Sequence, residues 1–203
     1  MSAPASLEVL DCGVAFSALD GAADCGDHYL LAPFTQGMLI AAVDGLGHGP
    51  EASLAAQIAV ATLARHAGSP LAAQIAYCHE ALRKTRGVAM SAANLDTQAG
   101  LLEWIGVGNV DGVVLRARKE TGSASLLPRG GVVGYRLPPL RVCRLEVFPG
   151  DVLIFTTDGV ASSFQQDLSR DEAAQTLADR ILARHGKQTD DALVLVTRYR
   201  GAP

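Results

Sequence analysis

Two strand-like runs in this chain end in the same dipeptide: "LIAAVDG" closes on Asp44-Gly45 and "LIFTTDG" on Asp158-Gly159. Two more acids open runs of the same aliphatic character. Gly26-Asp27 precedes "HYLLAPF", and Asp190-Asp191 precedes "ALVLV". A carboxylate at the end of a buried strand is held by a rigid scaffold, so several such ends can face one cleft. Acids that converge without a nearby lysine or arginine repel one another, and a divalent cation offsets that repulsion. Oxygen donors suit hard ions such as Mg²⁺ and Mn²⁺, which favour octahedral geometry and keep several waters. A glycine directly after the acid lets the backbone turn sharply, so that a carbonyl can join the ligand set. A plain turn competes with this reading, because Asp-Gly is a common hairpin dipeptide. Asp111-Gly112 in "GNVDGVVL" reads as such a turn, and tandem acids like Asp190-Asp191 usually lie on solvated loops. The metal site gains weight from the combination of two aliphatic strands that end in Asp-Gly and two that open on acids, but pattern alone leaves both readings open.

The elements that must position these acids are legible in outline. "LEVLDCGVAFSAL", "HYLLAPF" and "GMLIAAV" read as strands, the last two as a hairpin, and the third is aliphatic enough to be covered on both faces. The period then changes to helical. Gly49 and Pro50 suit an N-cap and a first helical position, Glu51 suits the first turn, and Leu54, Ile58 and Ala61 follow at helical spacing. Ser69-Pro70 repeats the start signal, and Leu71, Ile75, Cys78 and Leu82 form one apolar face. Gly68 and Gly87 end these segments, which read as an antiparallel helix pair. "VAMSAANLD", "LLEWIGVGNV", "GVVLRAR", "ASLLP", "VCRLEVF" and "VLIFTT" restore the strand pattern, with Trp104 and Met90 as core residues and Gly130-Gly131 in a loop. A last helix is expected from Ser169, with a capping box to Glu172 and Ala173, Leu177 and Ile181 on one face, before the strand "ALVLVTRY". This order predicts an α+β domain, 1–203, of layered antiparallel sheets with helices outside, and disfavours alternating βαβ folds and a TIM barrel.

Composition limits the function. With 203 residues, 49% hydrophobic and 19% charged, and a formal net charge of −4, the chain has the make-up of an ordinary globular protein. Its mildly acidic balance, with no basic cluster beyond "RARKETG" (116–122), argues against nucleic acid as partner. Cys12, Cys25, Cys78 and Cys143 form no C-x-x-C pair and read as scattered buried thiols in a reducing compartment. "MSAPASLEVLD" lacks the features of a signal peptide, and no apolar run approaches the ~18 residues of a membrane span. A cytoplasmic enzyme or regulator fits best.

At the acidic positions the sequence resembles the metal-dependent protein phosphatases of type 2C, in their bacterial SpoIIE/RsbU-like branch. "CGDHYL" is similar to that branch's early Gly-Asp motif, and "AAVDGLGHGPEAS" to its Asp-Gly-x-Gly motif leading into a helix. "FPGDVLIFTTDGV" resembles its P-G-D-x-L-x-x-x-T-D-G block and "TDDALVLV" its closing Asp-Asp strand. The four blocks occur in the family's order and span most of the chain. The short length and "WIGVGNVDGV" further resemble the small stressosome phosphatases of that branch. The resemblance implies a four-layer α-β-β-α sandwich of two antiparallel sheets flanked by helix pairs. It implies hydrolysis of phosphoserine and phosphothreonine at a centre of two Mn²⁺ or Mg²⁺ ions. Asp44 would bridge the ions, Gly45 would ligate through its carbonyl, Asp158 and Asp190 would bind one ion, and Asp27 would support the cluster. Asp191 is the lesser candidate, and Asp44 and Asp158 are the carboxylates on which catalysis would depend. The chemistry is consistent: paired ions lower the pKa of a shared water, and the resulting hydroxide attacks phosphorus in line. The implied substrate is a phosphorylated STAS-domain regulator of the RsbR/RsbS type in a stress-response pathway, with neither nucleic acid nor membrane involved.

Several features mark limits. His48 lies four positions after Asp44, where many eukaryotic relatives carry a histidine two positions after, and so stays outside the catalytic set. "SALDGAADCGD" contains no arginine, unlike the first motif of many eukaryotic relatives. None of the cysteines is followed six positions later by an arginine, so the Cys-based phosphatase loop is absent. "GVGNVDG" precedes a strand and is no Rossmann fingerprint, and Leu46 stands where the ATP-binding loop of histidine-kinase-type enzymes needs glycine. The serious rival is a phosphatase-fold binding module without catalysis, and the four retained acidic positions count against it.

Overall fold

Every residue from Met38 to Val43 is buried, although side chains alternate across a strand. Met38, Ile40 and Ala42 join one core cluster; Leu39, Ala41 and Val43 join another. The same division separates Leu153 and Phe155 from Val152 and Ile154, and Leu193 and Leu195 from Val194 and Val196. These continuous apolar runs are the inner strands of two stacked sheets, each covered on its outer face by helices. The computed structural model describes residues 9–21, 24–118 and 122–201; the N-terminal expectations for 1–8 and the middle of the basic stretch 116–122 lie outside the described residues.

The elements are β1 (Leu10–Ser17), β2 (Asp27–Phe34), β3 (Gly37–Gly45), α1 (Pro50–Arg65), α2 (Leu71–Ala81), β4 (Val88–Asp96), β5 (Leu101–Val107), β6 (Asp111–Leu115), β7 (Ser123–Leu126), β8 (Cys143–Glu146), β9 (Val152–Thr156), α3 (Ala174–His185) and β10 (Ala192–Tyr199). One antiparallel sheet runs β1-β10-β9-β6-β7 and the other β2-β3-β4-β5-β8. α1 and α2 pack on the second sheet and α3 on the first, giving the expected four-layer α-β-β-α sandwich. Among the described residues the first sheet carries one α-helix and a short 3-10 turn, Ser162–Asp167, in place of a second helix pair.

α1 starts as its sequence predicts, with Gly49 as N-cap and Pro50 in the first turn, but it buries a different face. Ala52, Ala55, Ala56, Ala59 and Leu63 face the sheet, whereas Leu54 is 54% exposed and Ala61 is exposed. The reason is close approach. A Cβ on Gly45 would lie 2.1 Å from the Ala52 carbonyl oxygen, so only small side chains fit between α1 and β3. In α2 the expected stripe of Leu71, Ile75, Cys78 and Leu82 is fully buried. Met90 and Trp104 are core residues as expected.

Three expectations fail. α3 begins at Ala174 and the Ser169–Glu172 capping box does not form, because Glu172 instead takes the Arg180 guanidinium at 2.9 Å. Ala173 is exposed, and Ala174 joins Leu177, Ala178 and Ile181 on the buried face. Asp111-Gly112 is no turn: Asp111 opens β6 opposite Thr156, and the chain turns earlier, through Gly108 at φ +95°. The four cysteines are free, yet only Cys78 is fully buried; Cys12 and Cys25 are half-buried and Cys143 is exposed. Among the described residues no helix is long and apolar enough to cross a membrane.

Candidate functional site

Antiparallel pairing places the strand ends that carry the acids at one end of the sandwich. Asp27, the first residue of β2, stands opposite Asp44 near the end of β3. Asp44 shares the parity of Ile40 and Ala42, whose side chains pack in the core between the sheets. In the other sheet, β9 ends at Thr156 beside β6 and β10, so Thr157 and Asp158 emerge where β10 begins. Thr157 ties the two sheets together there. Its hydroxyl donates to Asp27 Oδ2 at 2.6 Å and accepts from the Leu193 N–H at 2.9 Å.

The two tandem acids differ in what holds them. Asp191 is buried, and its carboxylate accepts the Leu19 N–H at 2.7 Å and the Gly26 N–H at 2.6 Å. It therefore fastens Leu19 and Gly26, and with Gly26 the start of β2, to the residue that precedes β10. Asp190 is half-buried and, among the described residues, accepts the neighbouring Asp191 N–H at 2.9 Å. Asp158 accepts from the Asn109 side-chain amide at 2.6 Å, while its backbone carbonyl accepts from Lys187 Nζ at 2.5 Å.

The glycines after the strand-end acids have a reason other than a turn. Neither Gly45 nor Gly159 adopts a positive φ. Instead a Cβ on Gly45 would meet Ala52 backbone at 2.1 Å, and one on Gly159 would meet the Asp191 carbonyl oxygen at 1.9 Å. Each glycine lets a neighbouring segment press against the strand end, α1 in one sheet and the start of β10 in the other.

Burial and mutual repulsion make Asp27, Asp44 and Asp158 hard to ionise. Burial pushes the Asp44 carboxyl up to about 8, with the charges of Asp27, Asp158, Asp190 and Asp191 adding to it. Burial likewise raises Asp27 to about 7, reinforced by Asp191, Asp158 and Asp190 and opposed by the Thr157 hydrogen bond. Asp158 is raised by burial and by Asp190, and is held back by Lys187 and Asn109. The nearby Cys25 thiol is pushed up to about 11, chiefly by burial, and so stays protonated near neutral pH. Among the described residues, no three His, Cys, Asp or Glu side chains stand close enough to form a ready-made chelate. The carboxylates face one another at distances over which their charges interact.

The donor set fits hard divalent cations. The converging groups are carboxylates, and their pKa values are raised first by burial and then by mutual repulsion, which a cation would offset. Asp27, Asp44, Asp158 and Asp190 meet at one end of the cleft with Gly45 beside Asp44, while Asp191 is committed to the backbone. His48 is exposed on the loop before α1. Three residues of the site are not found by sequence reasoning: Thr157, Asn109 and Lys187. Thr157 adjoins Asp158 in "TTDG", which is a local signal, but Asn109 and Lys187 lie 49 and 29 positions from their partner, and no local pattern marks them.

Comparison with known proteins agrees with this fold. The profile of the stage II sporulation protein E (SpoIIE) family matches residues 35–200. No match is found among curated proteins. A chain solved in work on the bacterial stressosome, as a modular system adapted to control secondary messenger signalling, is 30% identical, with a TM-score of 0.84 over 93% of this chain and 99% of that one. RsbX in complex with magnesium superposes with a TM-score of 0.84 at 19% identity, covering 98% of this chain and 99% of its own. The PP2C phosphatase domain of SpoIIE from Bacillus subtilis, solved with a fragment of its regulatory domain, gives 0.78 at 20% identity, over 93% of this chain and 63% of that one. At such identities the latter two show the fold alone.

Proposed function

The chain belongs to the SpoIIE family of PP2C-type serine/threonine phosphatases, and from that premise we propose that it is a working, metal-dependent phosphoprotein phosphatase. The observation that carries this reading is the meeting of Asp27, Asp44, Asp158 and Asp190 from four strand ends, with burial and mutual charge raising Asp44 to about 8. A fold that needed these positions only for turns would have no reason to gather four carboxyl groups in one cleft.

In this reading Asp44, Gly45, Asp158 and Asp190 would hold Mn²⁺ or Mg²⁺, with two ions as the expected number, and Asp27 would support them. When bound, such ions lower the pKa of water and offset charge on a phosphoryl group. The chain's own residues do the rest. Thr157 holds Asp27 in place by a 2.6 Å hydrogen bond, and Asn109 fixes one Asp158 oxygen, leaving the other for a ligand. Asp191 anchors Gly26, the residue that leads into Asp27. With values raised to about 7 and about 8, the carboxyls of Asp27 and Asp44 would have to give up their protons to hold a cation, which would couple metal binding to pH.

The similarity to a chain from stressosome work supports a phosphorylated STAS-domain regulator of the RsbR/RsbS type as the substrate. The test is phosphate release from an aryl phosphate and from a small panel of phosphorylated STAS-domain proteins, with and without Mn²⁺. Activity should require the metal and fall by at least about a thousandfold in Asp44→Ala and Asp158→Ala. A folded, metal-loaded protein that hydrolyses none of these substrates would instead be a binding module.

A further inference from the structure

Lys187 lies in the loop between α3 and β10, and its position is fixed by residues distant in sequence. Gly186 bridges to Val160, the Ala161 N–H donates to the His185 carbonyl at 2.8 Å, and the Lys187 N–H donates to the Gly159 carbonyl at 2.7 Å. Residues 185–187 are thus zipped against 159–161, directly after Asp158. The Lys187 ammonium then reaches back to the Asp158 carbonyl at 2.5 Å. Its charge also opposes the burial that raises the Asp158 and Asp111 carboxyls. An ammonium carries three N–H donors, and this contact uses one of them on an exposed side chain.

Four ionised carboxylates, those of Asp27, Asp44, Asp158 and Asp190, cancel the charge of two divalent ions, so a loaded cleft has no net positive charge to attract a phosphate monoester dianion. The segment from Ser17 to Asp27 contains no lysine or arginine. Arg86 leans over Gly47, but its guanidinium is paired with Glu51 at 2.5 Å. Lys187 is a basic side chain anchored at an acid of the cleft with donors to spare.

We propose that Lys187 is a phosphate-binding residue, which receives the phosphoryl oxygens of the substrate on the Asp158 side of the cleft; this rests on the phosphatase reading above. The test compares wild type with Lys187→Met and Lys187→Arg in four measurements: binding of inorganic phosphate to the Mg²⁺-loaded protein by calorimetry, KM and kcat for an aryl phosphate, Mg²⁺ affinity, and thermal midpoint. Loss of a charge-assisted contact should weaken phosphate binding and raise KM by about ten- to a hundredfold in Lys187→Met. Lys187→Arg should restore most of both. The thermal midpoint should stay within about 2 °C, as for an exposed substitution, and any change in Mg²⁺ affinity through the Lys187 charge beside Asp158 should be much smaller than the change in phosphate binding.

Wild-type phosphate binding and KM in Lys187→Met would overturn the inference, and so would a loss of Mg²⁺ affinity that accounts for the loss of activity. If the wild type binds phosphate through Lys187 but hydrolyses nothing, this inference stands and the phosphatase reading falls. If the wild type hydrolyses its substrate and Lys187→Met does so equally well, this inference falls alone. If the wild type neither binds phosphate nor hydrolyses, both fall.

Discussion

Replacing Thr157 by valine tests whether one hydroxyl joins the two sheets at the site. Thr157 is 1% exposed, and valine has nearly its shape, so the substitution removes hydrogen bonds and little packing. Two groups lose their partner. The buried Leu193 N–H loses its 2.9 Å acceptor, and Asp27, 7% exposed, loses its 2.6 Å donor. Leaving a buried donor unsatisfied costs about 1–3 kcal/mol, and a hydrogen bond to a charged group contributes about 1.5–3 kcal/mol. The neutral fraction of Asp27 discounts the second figure, so about 3 kcal/mol is a reasonable expectation for the pair. In a domain of this size that lowers the thermal midpoint by about 6–12 °C. Thr157→Ser keeps the hydroxyl, loses one methyl, and should drop by only about a third as much. Calorimetric melting of the metal-free proteins measures both. The Thr157 hydrogen bond lowers the Asp27 pKa, so its removal should also shift Mn²⁺ binding to higher pH. The reasoning is refuted if Thr157→Val melts with the wild type, or if Thr157→Ser falls as far as Thr157→Val.

Other perturbations separate the roles of neighbouring residues. Gly45→Ala and Gly159→Ala each drive a methyl into backbone, at 2.1 and 1.9 Å, and should each lose about 3 kcal/mol or fail to fold, measured by urea unfolding. Asp191→Ala orphans the N–H groups of Leu19 and Gly26 and should lose about 3 kcal/mol of stability. Asp190→Ala should leave the melting point of the metal-free protein nearly unchanged while weakening Mn²⁺ binding, a contrast that calorimetric titration and melting together resolve. For pH, Asp27 and Asp44 have folded pKa values raised to about 7 and about 8. Their contribution to stability is therefore full below the unfolded value of about 4 and is lost as pH rises through 7–8. The metal-free protein should melt progressively lower between pH 5 and pH 8.5 on account of these groups, Asp44→Asn should flatten the fall, and saturating Mn²⁺ should abolish it; identical slopes for wild type and Asp44→Asn would sink the assignment.

Much of this fold is legible because its inner strands are covered on both faces. Runs such as Met38–Val43 and Ala192–Val196 need no partner in view to be read as buried strands, and the α2 stripe from Leu71 to Leu82 reads as a packed face. The failures about α1, the capping box and Asp111-Gly112 share a cause, which is a tertiary contact outside the short motif that gave the signal. Leucine and isoleucine suggest the wrong face of α1, because the contact with β3 is so close that alanine is what fits. The Ser169–Glu172 box is a false signal because Arg180, eight residues from Glu172, offers it a stronger partner than a helix end does. Asp111-Gly112 suggests a turn as a dipeptide, but β9 pairs with it and holds it in a strand.

The site divides along the same line. Each acid is visible locally, as the end of an aliphatic run, but the groups that set its chemistry come from the opposite sheet or from a loop far along the chain. Asp27 depends on Thr157 across 130 positions, and Asp191 holds Gly26 across 165. The tandem Asp190-Asp191 makes the consequence concrete. In sequence the two are interchangeable, and resemblance alone favours the first. In the structure, both oxygens of Asp191 are bound to backbone N–H groups at 2.6–2.7 Å, whereas Asp190 keeps its side chain at the cleft with one short-range contact. A carboxylate with both oxygens already engaged by protein donors is a poorer ligand than one left open beside three other acids. The hydrogen bonds therefore favour Asp190 on grounds independent of the resemblance, and they give Asp191 a necessary role of its own: without it, the two bonds that fasten Leu19 and Gly26, and with Gly26 the start of β2, beside β10 are lost.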